Sequence, residues 1–96
     1  MPHQPAVYML ASRKNGTLYT GVTSNLVQRV WQHRNDQVPG FTGRYGVHHL
    51  VWFEIHEDMN SAITREKQIK AGSRRRKLAL IEKENPGWRD LYDDIC

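Results

Sequence analysis

Ninety-six residues make one domain and exclude a second, because a chain of this length buries only about 60–65% of its unfolded surface and builds one modest core. Fourteen Lys and Arg against ten Asp and Glu give a formal charge of +4, which favours a polyanionic partner, and the lone Cys96 excludes an intramolecular disulfide or a cysteine-based zinc site. No run approaches the ~18 apolar residues of a membrane span and residues 1–5 carry no basic-then-apolar export signal, so the expected location is the cytoplasm, without membrane contact.

Two short apolar runs open the chain, Ala6–Ala11 and Leu18–Val22, each with a tyrosine, and Arg13-Lys14-Asn15-Gly16-Thr17 between them is a turn signal. The pattern is a β-hairpin that sets Tyr8 and Tyr19 as close cross-strand neighbours on one face, within reach of a common ligand. Gly21 ends the second strand where a backbone can approach closely. Thr23 or Ser24 then caps a helix to about Arg34. Its Leu26, Val27, Val30 and Trp31 share one arc, Gln28 and Gln32 fall opposite, and Arg29 and His33 stand one turn apart on the rim, where a helix lining a cleft carries its functional groups.

Asp36 to Gly46 is a loop with Pro39, Gly40 and Gly43, basic at Arg44 and carrying Phe41 and Tyr45; it serves either as a plain connection or as a substrate contact. The apolar middle of Val47–Ile55 predicts a third strand at the centre of the sheet. His48, His49 and His56 beside it lack the spacing of a metal site and read as surface imidazoles. Asp58 or Asn60 caps a second helix to about Ala71, Gly72-Ser73 breaks it, and Ser73 caps a third to about Glu84. Asn85-Pro86-Gly87 stops that helix before a short tail. The expected fold class is α/β, a small three-stranded antiparallel sheet flanked by helices, forming a single domain over residues 1–96.

Glu66 is the most informative position. At about 100° per residue it falls in the arc of Ala62, Ile63 and Ile69, whereas Arg65, Lys67 and Gln68 fall elsewhere. An unpaired carboxylate in an apolar stripe costs several kcal/mol, so Glu66 has to be paired (with Arg29, for instance), protonated or bound to a cation. Arg29 presents a fork of donors suited to a phosphate, although a helix-surface salt bridge would use it equally well. His33 titrates near neutral pH, as a proton carrier or as a structural imidazole. Arg65, Lys67, Lys70, Arg74, Arg75, Arg76 and Lys77 crowd one segment in which Glu66 is the lone acid, while Glu82, Glu84, Asp90, Asp93 and Asp94 dominate the C-terminal one. Four consecutive cations repel one another, so this run, with Arg44, reads as a face for nucleic-acid phosphates rather than as a solvated surface.

Val7-Tyr8, then Tyr19-Thr20-Gly21, then Arg29 ten residues after the second tyrosine, Glu66 on a later helix and Asn85 near the end resemble the GIY-YIG nuclease family. The likeness is greatest to its small stand-alone bacterial members and to the nuclease domain of an excision-repair subunit. It covers nearly the whole chain. Ala6-Val7-Tyr8 stands for Gly-Ile-Tyr, Thr20 for the central isoleucine, and Val22 where some members carry lysine. The resemblance implies a metal-dependent endonuclease acting on nucleic acid, DNA foremost, in repair or processing. It places one Mg²⁺ or Mn²⁺ on Glu66, the activation of water on Tyr19 with Tyr8 and His33 assisting, the phosphate on Arg29, and supporting roles on Gly21 and Asn85. Because a phenol of pKa about 10 is a poor base at neutral pH, Arg29 and the metal are expected to favour the phenolate. Asn-Pro-Gly is also a plain helix stop, which is the other reading of Asn85. Two other functions fit the sequence: a nucleic-acid-binding module that keeps the fold with little turnover, and a protein-interaction module using Trp52, Trp88 and the acidic tail. A recruiting protein is a further expected partner, and nothing in the sequence fixes the oligomeric state.

Overall fold

The hairpin closes through Ser12, whose amide donates to Thr17 O at 3.0 Å and whose hydroxyl accepts from Thr17 N at 3.0 Å, with Asn15 in the left-handed region at φ 59°. In the computed structural model, which describes residues 4–35, 37 and 45–96, β1 (Ala6–Ala11) and β2 (Leu18–Thr23) are followed by α1 (Leu26–Arg34) and β3 (His49–Ile55). After them come α2 (Met59–Ala71), α3 (Arg74–Glu84) and α4 (Tyr92–Ile95). Arg44 and Phe41 lie outside the described residues.

The sheet is antiparallel with order β2-β1-β3, so β1 is the central strand and the expectation for β3 is overturned. All six residues of β1 are buried, as pairing on both sides and cover on both faces require. The continuous apolar run of β3 has another cause. Pairing steps from Met9↔Trp52 to Leu10↔Leu50, so Val51 is a bulged extra residue, and Val51 and Trp52 enter the same core cluster. The outer edge of β3 is also covered by the C-terminal segment: Leu91 N donates to Leu50 O at 2.8 Å, Leu50 N to Asp90 Oδ1 at 3.3 Å, and Asn85 Nδ2 to Val51 O at 3.1 Å.

Alternation along β1 divides the core in two. Val7, Met9 and Ala11 pack with Val51, Trp52, Ala62, Ile69, Ile81 and Trp88 under α2 and α3. Ala6, Tyr8 and Leu10 pack on the opposite face with Leu26, Val30, Val47 and Leu50 under α1, with Leu91, Tyr92 and Ile95 around them. Each large side chain fully buried here contributes roughly 1.5–3 kcal/mol as an upper estimate. Two orientations on α1 differ from the sequence reading: His33 is wholly buried and Trp31 is 49% exposed. The buried positions Leu26, Val30 and His33 follow i, i+4, i+7, which rotates the inward face past Trp31.

Capping follows local chemistry. Asn25, rather than Thr23 or Ser24, caps α1 by accepting from Gln28 N, and the Thr23 hydroxyl accepts from Asn25 N at 3.0 Å. Asp58 and Ser73 cap α2 and α3 as expected. α4 was expected only as a tail, and its docking depends on Asp90, which pairs with Arg34 and accepts from Tyr92 N at 3.0 Å. Among the described residues no helix is long and apolar enough to cross a membrane.

Candidate functional site

Pairing sets Tyr8 opposite Gly21 and Leu10 opposite Tyr19, so both phenols leave the sheet on one face as diagonal neighbours with ring centroids 6.2 Å apart. A β-carbon at Gly21 would stand 2.5 Å from both Cζ and the hydroxyl of Tyr8 and 3.0 Å from Cε2 of Tyr19. Glycine is therefore needed for the approach of a ring and not of a backbone. α1 crosses this face and delivers His33, whose ring centroid lies 5.8 Å from that of Tyr8 and 5.2 Å from that of Tyr19. Its Nε2 is 3.0 Å from the Tyr8 hydroxyl. One turn earlier stands Arg29, whose charge bears on the Tyr8 phenol and whose Nη1 donates to Gln32 Oε1 at 3.4 Å.

Burial decides the charge state of this cluster. The Tyr8 phenol is pushed up well above its ordinary 10.0 by desolvation and then by the neighbouring Tyr19, and the opposing pull of Arg29 is too small to reverse this. Tyr8 is therefore neutral at physiological pH: Arg29 does favour its phenolate, but burial outweighs that pull at this residue. His33 is pushed down to about 4 by burial first, and then by the charges of Arg29 and His48. At neutral pH it is an uncharged acceptor and not a group near its titration point. Tyr19 and Arg29 remain partly exposed, so they form the open side of the cluster.

Glu66 lies on the other side of the sheet. α2 covers the face opposite the tyrosines, and Glu66 sits between the buried Ala62 and Ile69 with its side chain 13% exposed. Its Oε2 accepts from Lys70 Nζ at 3.1 Å, so the ion pair is with an exposed lysine one turn away rather than with Arg29. Helical spacing puts Glu66 with Ile63, Lys67 and Lys70 on the flank of α2 turned away from α3, toward β2, the free edge strand against which α2 packs most closely.

The structure brings Tyr8, Tyr19, Arg29, His33 and Gly21 together and leaves two other expectations elsewhere. Asn85 is buried at the β3 edge, where its amide donates to Val51 O and Arg89 O and accepts from Arg89 N, so it clamps backbone. Arg74 donates to Asn15 O at 3.0 Å and Gly16 O at 2.7 Å and so pins the hairpin turn. His48, which bears electrostatically on His33, was read from sequence as a surface imidazole; no local pattern reports a neighbour fifteen residues away.

Residues 4–79 match the family described as the GIY-YIG catalytic domain. The chain belongs to the GIY-YIG family. A UPF0213 protein of Clostridium perfringens is 39% identical over 79 residues, covering 82% of this chain and 84% of that one. Another, of Staphylococcus saprophyticus, is 37% identical over 68 residues, covering 71% and 83%. The solution NMR structure of a UPF0213 protein from Bacillus halodurans aligns with a TM-score of 0.57 at 26% identity over 91% of this chain and 92% of its own, and shares the three-stranded antiparallel sheet with helices. In this GIY-YIG domain the motif departures have simple positions: Thr20 points away from the phenols, toward α2, and Ala6 is buried under α1.

The divalent cation that the resemblance implies has one carboxylate to meet it. Among the described residues no group of three or more His, Cys, Asp and Glu gathers as a cage. Glu66 alone suits a Mg²⁺ that keeps most of its waters, and the exposed Lys70 is free to swing aside from it. The donor set fits a weakly held, largely hydrated ion.

Proposed function

We propose that this GIY-YIG domain, acting as one domain over residues 1–96 in the cytoplasm, hydrolyses phosphodiester bonds in nucleic acid, DNA foremost, in repair or processing. The observation that carries this reading is the packing of the Tyr8, Tyr19 and His33 rings into one cluster, with the Tyr8 hydroxyl on His33 Nε2, the charge of Arg29 bearing on Tyr8 and His33, and Gly21 leaving the space that Tyr8 and Tyr19 occupy. A buried ring cluster kept neutral next to a partly exposed guanidinium is suited to position an anionic group rather than to stabilise a fold.

Burial separates the roles of the two tyrosines. Tyr8, protonated and held between Arg29 and His33, orients its neighbours and donates no charge. Tyr19, open to solvent, takes the proton from the attacking water, and Arg29 stabilises charge on the phosphate through its donor fork. A Mg²⁺ or Mn²⁺ held by Glu66 supplies, when bound, the positive charge that polarises the phosphate and steadies the leaving oxygen. Lys67 and Lys70, on the flank of α2 facing the β2 edge, contact the backbone of the bound strand.

Incubating the purified protein with nicked, branched and single-stranded DNA in Mg²⁺ or Mn²⁺ tests the proposal. Tyr19→Phe is expected to lower cleavage by roughly 10²–10⁴-fold, the range for a lost general base, and Tyr8→Phe by less. Should His33→Ala cost more turnover than Tyr19→Phe, the imidazole is the base. Binding without any product would instead identify a module that keeps the fold and lacks turnover.

A further inference from the structure

On the sheet face away from the tyrosines, α2 and α3 diverge around a groove of about 400 Å³. Ile69, Ala79 and Leu80 supply its apolar lining, and Arg65, Arg76, Lys77 and Lys83 its cations. Arg65 is already paired with Glu54 at 3.1 Å, but among the described residues Arg76, Lys77 and Lys83 have no acidic partner. The acids of α3, Glu82 and Glu84, do not line the groove.

We propose that this groove docks an acidic segment of a partner protein that carries an aliphatic or aromatic anchor side chain. Charge complementarity calls for an anion, and the floor decides which kind. A nucleic-acid backbone gains nothing from an aliphatic floor, and bases bind such surfaces by stacking on aromatic rings, of which this lining has none. A peptide uses both features, an anchor in the apolar pocket and carboxylates against a cationic rim. The protein's own acidic C-terminal segment does not line the groove, and its Asp90 and Asp94 are engaged with Arg34 and Arg89. Because the groove opens on the face opposite Tyr8 and Tyr19, a docked partner and a bound substrate can be held together.

The probe is a fluorescein-labelled peptide of aspartates flanking a Leu-Phe pair, with a control in which that pair is Ser-Ser, read by fluorescence anisotropy and by amide shift mapping. The Leu-Phe peptide is expected to bind at least tenfold more tightly than the control and to shift the amides of Ile69, Gly72 and Leu80. Ala79→Glu with Lys83→Glu, both at exposed helix positions that tolerate glutamate, should weaken it at least tenfold without altering DNA cleavage. Equal binding of the two peptides, shifts confined to the Tyr8 face, or an unaffected double variant would overturn the proposal. So would duplex DNA competing for the same amides, which would assign the groove to nucleic acid. Peptide binding needs no turnover, so the groove and the nuclease reading stand or fall separately.

Discussion

Acidification from about pH 8 to about pH 5 should destabilise the fold chiefly through His33. Its pKa is 6.5 when unfolded and about 4 in the folded state, so as pH falls the unfolded chain takes the proton first. The contribution of the neutral imidazole is fully present above 6.5 and is lost progressively down to about 4. At about 1.36 kcal/mol per unit, the whole shift amounts to at most about 3 kcal/mol, of which about 2 kcal/mol is lost by about pH 5. The other shifted groups are silent in this window. Asp58 and Asp94 have pKa values lowered from 3.8 by Ser61 and Arg89 respectively, so their contributions disappear only below that value, and the raised phenol of Tyr8 matters only above 10.0. For a domain of this size a loss of about 2 kcal/mol lowers Tm by roughly 10 °C. The assay is thermal melting followed by circular dichroism at each pH, for the wild type and for His33→Gln, which keeps an acceptor for Tyr8 and removes the titration. The difference in stability between the two proteins should shrink from pH 8 to pH 5. Parallel curves would refute the reasoning, because they would mean that His33 is not buried as a neutral imidazole.

Gly21→Ala places a methyl group 2.5 Å from the Tyr8 ring, so it should cost about 1–3 kcal/mol of overpacking in melts and lower cleavage by displacing the phenol; an unchanged melt and rate would show that the close approach is unimportant. In EDTA, Glu66→Gln removes only an exposed-partner i,i+4 ion pair, so its melt should change by no more than about 0.5 kcal/mol while cleavage in Mg²⁺ is abolished. A loss of several kcal/mol would instead indicate an ion pair buried deep in the core. Duplex affinity should fall with salt, and Lys67→Gln with Lys70→Gln should flatten the slope of log K against log salt by roughly 0.9 per lost phosphate contact, measured by titration at several ionic strengths. If the slope does not move, that flank of α2 is solvated surface.

The hairpin, the helix breaks at Gly72-Ser73 and Asn85-Pro86-Gly87, and the caps at Asp58 and Ser73 were legible in the sequence because each depends on backbone chemistry within a few residues. The placing of Tyr8 and Tyr19 on one face followed from strand alternation and a short turn, and that of Arg29 beside His33 from one helical turn. What the sequence could not decide was non-local. Whether β1 or β3 lies in the middle depends on which edge the C-terminal segment covers, and the bulge at Val51 imitates the apolar run of a central strand. The rotation of α1 that buries His33 and exposes Trp31 is set by what Ala6, Tyr8 and Leu10 offer beneath it, and that burial is the largest cause keeping the imidazole and the Tyr8 phenol neutral. Glu66 was visible as a carboxylate out of place, and Lys70 as its i, i+4 neighbour; that the partner is Lys70 rather than Arg29 of another helix is decided by the packing of α2 on the far face of the sheet. The basic run likewise reads as one feature in one dimension. Folding divides it among a turn clamp at Arg74, a β2-side flank at Lys67 and Lys70, and a groove wall at Arg76 and Lys77, because helices distribute consecutive residues to different faces and only their neighbours give those faces a use.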